Sequence, residues 1–180
     1  MKLNLNEFFK IEKEQFEKMT VDDKFRQALI WYWDNPYLWG EENAKGADCS
    51  GAICFALMVA TEKPIRLTAS GLYYEIFIDQ ISPDNPGVLF WTTRKRLVYP
   101  GKTYEIGDIC HVAGFVGDRV ILNMTKPKAK FETLWDVGRT VAKNNDYELD
   151  MQCINWPAFH KISDSRTWSL DKELLDIMEE

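Results

Sequence analysis

Residues 46–57 read GADCSGAICFAL, and this stretch decides the fold. A cysteine sits between an acid and a Ser-Gly pair, at the mouth of an apolar run. Asp48 is of the residue type that caps a helix N-terminus. That places Cys49 in the first turn of a helix over 49–60, with Ile53, Ala56, Leu57 and Ala60 as its apolar face. Unpaired N–H groups and the helix dipole favour an anion there, so the spacing predicts a thiol shifted toward the nucleophilic thiolate. The same N–H groups can receive the oxyanion that forms when a thiolate attacks a carbonyl. Gly51 is expected to leave the first turn open to a substrate backbone. Taken alone, Cys49 reads equally well as a small buried cysteine in a core helix.

A thiol nucleophile needs a base, and the 180 residues contain two histidines. His111 opens HVAGFVGDRVILN, which reads as a hairpin around Gly117-Asp118. His160 lies in PAFHKIS, where the sequence offers it no obvious polar partner. His111 is therefore the candidate base, and His160 is expected to be structural or exposed.

Working outward, residues 1–34 read as N-terminal helices. Phe8, Ile11, Phe16 and Met19 form one apolar series, and Phe25, Ala28, Leu29 and Trp33 form a second that opens at Val21. Asn35-Pro36 ends it. Residues 37–48 and 61–70 read as loops, with a short helix over 72–78. Residues 79–104 read as a long connection that carries Pro83, Pro86, Pro100 and the solvated run Arg94-Lys95-Arg96. Strands are expected at 109–116, 120–124, 131–135 and 151–154. A tail helix with Leu170, Leu174 and Ile177 on one face follows. Helices first and strands after point to an α+β fold. The expected organisation is one domain over 1–180, with N-terminal helices to 34, a core over 35–160 and a tail over 161–180.

Composition narrows the function classes. A hydrophobic content of 46% fits a chain with a real core, and a net charge of −6 argues against nucleic acid as a partner. The N-terminal residues lack a signal-peptide pattern, and no apolar run approaches the ~18 residues of a membrane span. The expected location is cytoplasmic, or alternatively a phage virion or release on lysis. Cys49, Cys54, Cys110 and Cys153 show neither a CxxC pair nor framework spacing, so reduced thiols are expected.

YLWG, then GADCSGAICFAL, the arginine of IRLTASG, and GDICHVAGFVGDRVILN together resemble the NlpC/P60 family of papain-like cysteine peptidases. The resemblance covers residues 35–123. It implies an antiparallel sheet packed by the nucleophile helix, and hydrolysis of cell-wall peptides at the γ-D-glutamyl–diamino acid bond. It also implies Cys49 as nucleophile, His111 as base and Asn123 as the polar group that orients the imidazole. Tyr37 would sit beside the nucleophile, while Asp48 and Ser50 would hold a substrate ammonium. Neither cofactor nor metal is implied, and the expected partner is a peptidoglycan-derived peptide. The sequence departs from the family in reading Trp-Gly-Glu-Glu where Trp-Gly-Gly is usual, and in the long segment before His111.

Three alternatives remain open at this level. One is an acyl hydrolase or transferase acting on another amide or a lipid, and another is a non-catalytic phage assembly protein. The third is a metal site from Cys49, Asp108, Cys110 and His111, disfavoured because neighbouring strand residues face opposite ways. The same alternation tests the triad. A two-residue turn at Gly117-Asp118 would put His111 and Asn123 on opposite faces. The triad therefore requires an odd loop or a bulge, and the odd loop Gly117-Asp118-Arg119 is the expectation.

Overall fold

The computed structural model describes residues 15–80, 87–117 and 119–169. The expected helical positions Phe8 and Ile11, and the tail residues Leu170, Leu174 and Ile177, lie outside the described residues.

Helix α1 spans Val21–Trp31, and Thr20 caps it by accepting the N–H of Asp23. It buries Phe25, Ala28, Leu29 and Trp31, and the Phe16 ring packs tilted against Trp31 with centroids 4.8 Å apart. Next come the two-residue strands β1 (Glu42–Asn43) and β2 (Gly46–Ala47), then helix α2 (Cys49–Thr61). The expected helix is there, but its apolar face is not one-sided. Every residue from Ser50 to Ala60 is buried, because α2 is enclosed by α1, the sheet and the chain's C-terminal segment. A helix apolar all round is a core helix.

A short helix α3 (Ala69–Gly71) continues as a π-helical turn over Leu72–Ile76. The remaining elements in chain order are β3 (Asp79–Gln80), β4 (Gly87–Thr93), β5 (Leu97–Tyr99), β6 (Lys102–Tyr104), β7 (Ile109–Gly117), β8 (Val120–Met124), β9 (Ala129–Thr133), helix α4 (Leu134–Asn144), β10 (Tyr147–Cys153) and helix α5 (Trp156–Lys161). Six strands form one antiparallel sheet in the order β3-β10-β4-β7-β8-β9. This is an α+β architecture.

Three expectations are corrected here. The segment 79–104 is not a plain connection, because β4 lies inside the sheet between β10 and β7. Its sequence GVLFWTT is apolar without alternation because both faces are covered. Val88 and Phe90 join the core under α1 and α2, while Leu89 and Trp91 pack with Val137 of α4. The strand expected at 131–135 ends at Thr133, whose side chain caps α4 by accepting the N–H of Asp136. The last strand begins at Tyr147 rather than 151, and pairs along the full length of β4.

Gly114 of β7 lets the helices approach the sheet. A Cβ there would lie 2.4 Å from Leu29 and 3.0 Å from Ile53. This close packing brings the start of α2 to the neighbourhood of His111. Among the described residues, no helix is long and apolar enough to cross a membrane.

Candidate active site

Asp48 shapes the mouth of α2. One carboxylate oxygen accepts the Gly51 N–H at 2.7 Å and the Ser50 hydroxyl at 3.0 Å. The other accepts the Gly40 N–H at 3.0 Å and the Arg66 guanidinium at 2.9 Å. Arg66 also donates to the Ser50 Oγ at 3.1 Å and pairs with Glu42 at 3.0 Å. Glu42 in turn holds Arg166 at 2.6 Å. An ionised carboxylate accepts about four hydrogen bonds, so the acceptor sites of Asp48 are filled by the chain itself. As placed, Asp48 and Ser50 organise the helix start, and a substrate ammonium would have to displace one of these donors.

Gly51 serves the chain rather than an incoming ligand. A Cβ on it would fall 1.9 Å from the Glu41 carbonyl oxygen, so the loop before β1 packs directly on the first turn of α2. The expected open approach is replaced by this backbone contact.

The backbone N–H groups of Val112 and Ser50 lie close enough to the Cys49 sulfur to favour its thiolate. Val112 follows His111, so the first turn of α2 meets β7 beside the histidine. Burial, then the nearby Asp48 charge, push the thiol up to about 12, against the lowering effect of the two N–H groups. This corrects the expectation of a lowered thiol: desolvation outweighs the helix terminus. Tyr37 stands close by, bridged to Ala47. Burial and then the Cys49 charge raise its phenol, so it keeps its proton. Tyr104 of the β5–β6 hairpin is likewise raised, to about 12, by burial and then by Cys49. This hairpin belongs to the segment that sets the chain apart from the family pattern.

His111 and Asn123 come together. His111 Nε2 lies 2.7 Å from Asn123 Oδ1. The Asn123 Nδ2 donates to Glu132 on β9, so Oδ1 is the end presented to the ring and Nε2–H is the donor. Nδ1 is left as the basic nitrogen. Trp91, directly opposite His111 across β4 and β7, sets its ring edge-on with centroids 4.8 Å apart. Enclosure lowers the imidazole's proton affinity, and this outweighs the support from Asn123, Glu132 and Asp48. Burial favours the uncharged form of both groups, the thiol of Cys49 and the imidazole of His111.

The expected odd loop is corrected: the turn has two residues, and a bulge restores the parity. Gly117 pairs with Val120 and Phe115 with Ile121, with a register shift between Phe115 and Gly117. Two residues therefore separate the strand ends, and the extra residue is a bulge at Val116 rather than a third loop position. Arg119 takes φ 61° at the tip. His111 and Asn123 share a face as the triad requires.

Glu132 was missed from sequence, as were the role of Trp91 against the imidazole and that of Arg66, the motif arginine, in holding Asp48 and Ser50. His160 is apart from the site: it is exposed on α5, near the rings of Trp156 and Phe159. No group of three His, Cys, Asp or Glu side chains among the described residues is placed to hold a metal ion.

These shifts set a pH expectation for His111 read as a base. It would then act unprotonated, and its pKa lies below the ordinary 6.5, so the acid limb of kcat/KM should fall below that value. The raised thiol gives no upper limb through about pH 9. The sign for stability follows. With the folded pKa depressed, the contribution of His111 is present above the unfolded value and is lost as pH falls through the folded one. A pH–rate profile with its acid limb at or above 6.5 would contradict the enclosed neutral imidazole.

No family model matches the chain, and no curated protein matches it. Solved structures do. NlpC1 of Trichomonas vaginalis superimposes with TM-score 0.51 at 14% identity, over 74% of this chain and 44% of that one. NlpC2 of the same organism gives TM-score 0.51 at 13%, over 74% and 46%. An NLP/P60-family protein of Staphylococcus aureus, described as similar to lipoprotein, gives 0.51 at 18%, over 74% and 41%. The match spans less than half of each of these solved chains. At such identities the likeness is one of fold: the chain has the α+β, papain-like fold of the NlpC/P60 domains.

Proposed function

We propose that the chain is a cysteine peptidase that hydrolyses an amide bond in cell-wall peptides, at the γ-D-glutamyl–diamino acid linkage. Cys49 is the nucleophile, His111 the general base and Asn123 its orienting partner. One observation carries the reading: the 2.7 Å bond between His111 Nε2 and Asn123 Oδ1, on the strand whose Val112 N–H reaches the Cys49 sulfur.

The chemistry follows from the neutral pair. As a substrate carbonyl arrives, Nδ1 of His111 takes the thiol proton and the sulfur attacks the carbonyl carbon. The Cys49 N–H at the start of α2 receives the oxyanion, since the N–H groups of Gly51 and Ala52 are engaged by Asp48. The protonated imidazole then gives its proton to the departing amine, which leaves a thioester on Cys49. Water, deprotonated by the same imidazole, hydrolyses the thioester and restores the thiol. Tyr37 and Tyr104, both near Cys49 and both kept protonated, offer hydroxyl donors to a bound peptide.

The test is incubation with defined stem peptides, with free or blocked N-terminal L-alanine, and mass analysis of the products. Cleavage between D-glutamate and the diamino acid is the expected result. Peptides left intact by the wild-type protein would remove the wall-peptidase assignment.

A further inference from the structure

We propose that Glu132 is a positioning residue that keeps the Asn123 amide from flipping, and so holds the His111 proton on Nε2. The proposal rests on the reading of Cys49, His111 and Asn123 as one catalytic set. The three side chains His111, Asn123 and Glu132 stand on consecutive strands β7, β8 and β9. Asn123 pairs with Lys130 and Ile121 with Glu132, so Asn123 and Glu132 are diagonal neighbours on one face, within reach of each other.

An asparagine amide has an acceptor end and a donor end of nearly the same shape. With Oδ1 toward the ring, Nε2 must carry the proton and Nδ1 is open to receive one. With the amide turned, Nδ2 would donate to Nε2. The proton would then sit on Nδ1, and the ring could not take a proton from the thiol. His111 and Asn123 alone allow both arrangements, because each is a complete hydrogen bond. Glu132 removes the symmetry. An ionised carboxylate only accepts, so it binds the Nδ2 end and repels the Oδ1 end. The Asn123 Nδ2 donates to Glu132 Oε2, while the other Glu132 oxygen takes Lys130 Nζ at 3.0 Å. The lysine fixes the carboxylate from outside and leaves Oε2 for the amide. The Glu132 charge also supports protonation of His111, which helps the ring hold the proton midway through the reaction.

The experiment is nitrogen-15 NMR of the full chain labelled at histidine, at a pH where His111 is neutral. Wild-type His111 should show a single Nε2–H tautomer. Glu132→Gln, which offers both an acceptor and a donor, should add the Nδ1–H form and lower kcat by ~10–100-fold with KM little changed, as for other lost outer partners. Its acid limb should also move to lower pH with the loss of the charge. A wild-type His111 in the Nδ1–H form would overturn the proposal whether or not any variant folds. So would Glu132→Gln with one Nε2–H tautomer and wild-type kcat. The tautomer is read without turnover, so failure to cleave wall peptides would count against the proposed function and leave this test standing.

Discussion

Cys49→Ala should lose hydrolysis by a factor on the order of 10⁴ or more, the scale on which removal of a covalent nucleophile acts. The fold should survive it. The cap of α2 runs through Asp48, Gly51 and Ala52, and none of these bonds uses the Cys49 side chain. The melting temperature of the variant should therefore match the wild type while product formation disappears. The other cysteines serve as internal controls. Cys54 is buried and exchanges hydrogen bonds with the backbone of Leu67, so Cys54→Ala should cost on the order of 1 kcal/mol of stability. Cys110 donates to the Trp91 carbonyl at 3.4 Å, and Cys153 is buried at the end of β10. Cys110→Ala and Cys153→Ala should keep most of the turnover. Wild-type rates in Cys49→Ala would end the cysteine-enzyme reading.

Gly51→Ala should unfold or strongly destabilise the protein, by about 3 kcal/mol or more, at the upper end of what overpacking costs. The added methyl would sit 1.9 Å from the Glu41 oxygen and 2.9 Å from its carbonyl carbon. Both are backbone atoms, so no rotamer change relieves the clash, and the loop must leave the helix. That movement would break the Asp48 N–H bond to the Glu41 carbonyl, 3.1 Å long, and disturb the cap beside Cys49. Chemical denaturation with the denaturant slope held in view is the measurement. Gly138→Ala is the contrast: nothing lies within 4 Å of its added Cβ, and α4 should gain slightly from the better helix former. Equal stability for Gly51→Ala and the wild type would mean that the contact is not needed.

The sequence was most legible where local chemistry and tertiary packing agree. Asp48 is a good local cap and also the centre of a tertiary hydrogen-bond cluster, so the start of α2 was placed correctly. The strand 120–124 was clear because the turn residues Gly117-Asp118 precede an apolar run. Strand β4 was not legible, since an apolar run covered on two faces has no period to detect. Helix α4 carried a readable signal, Thr133 with Asp136 three residues on, but the aromatic pair Phe131 and Trp135 suggested a strand across it. That misreading also hid Glu132, whose face is defined only once β9 is known to start at Ala129. The lowered thiol failed for a different reason. The desolvation of Cys49, partly buried where α2 meets the sheet, comes from tertiary packing, and no local spacing reports it.

The sheet order has a consequence for how the chain is made. Strand β4 is flanked by β7 on one edge and β10 on the other, and β10 lies some sixty residues later. During synthesis from the N-terminus, an apolar strand must wait with one edge open until β10 emerges. Open apolar edges are where chains pair with the wrong neighbour, and late, distant pairing slows folding. The newborn chain therefore passes through an interval in which Val88, Leu89, Phe90 and Trp91 invite association. Slower translation between β9 and β10 lengthens that interval, and chaperone capacity during expression shortens its reach.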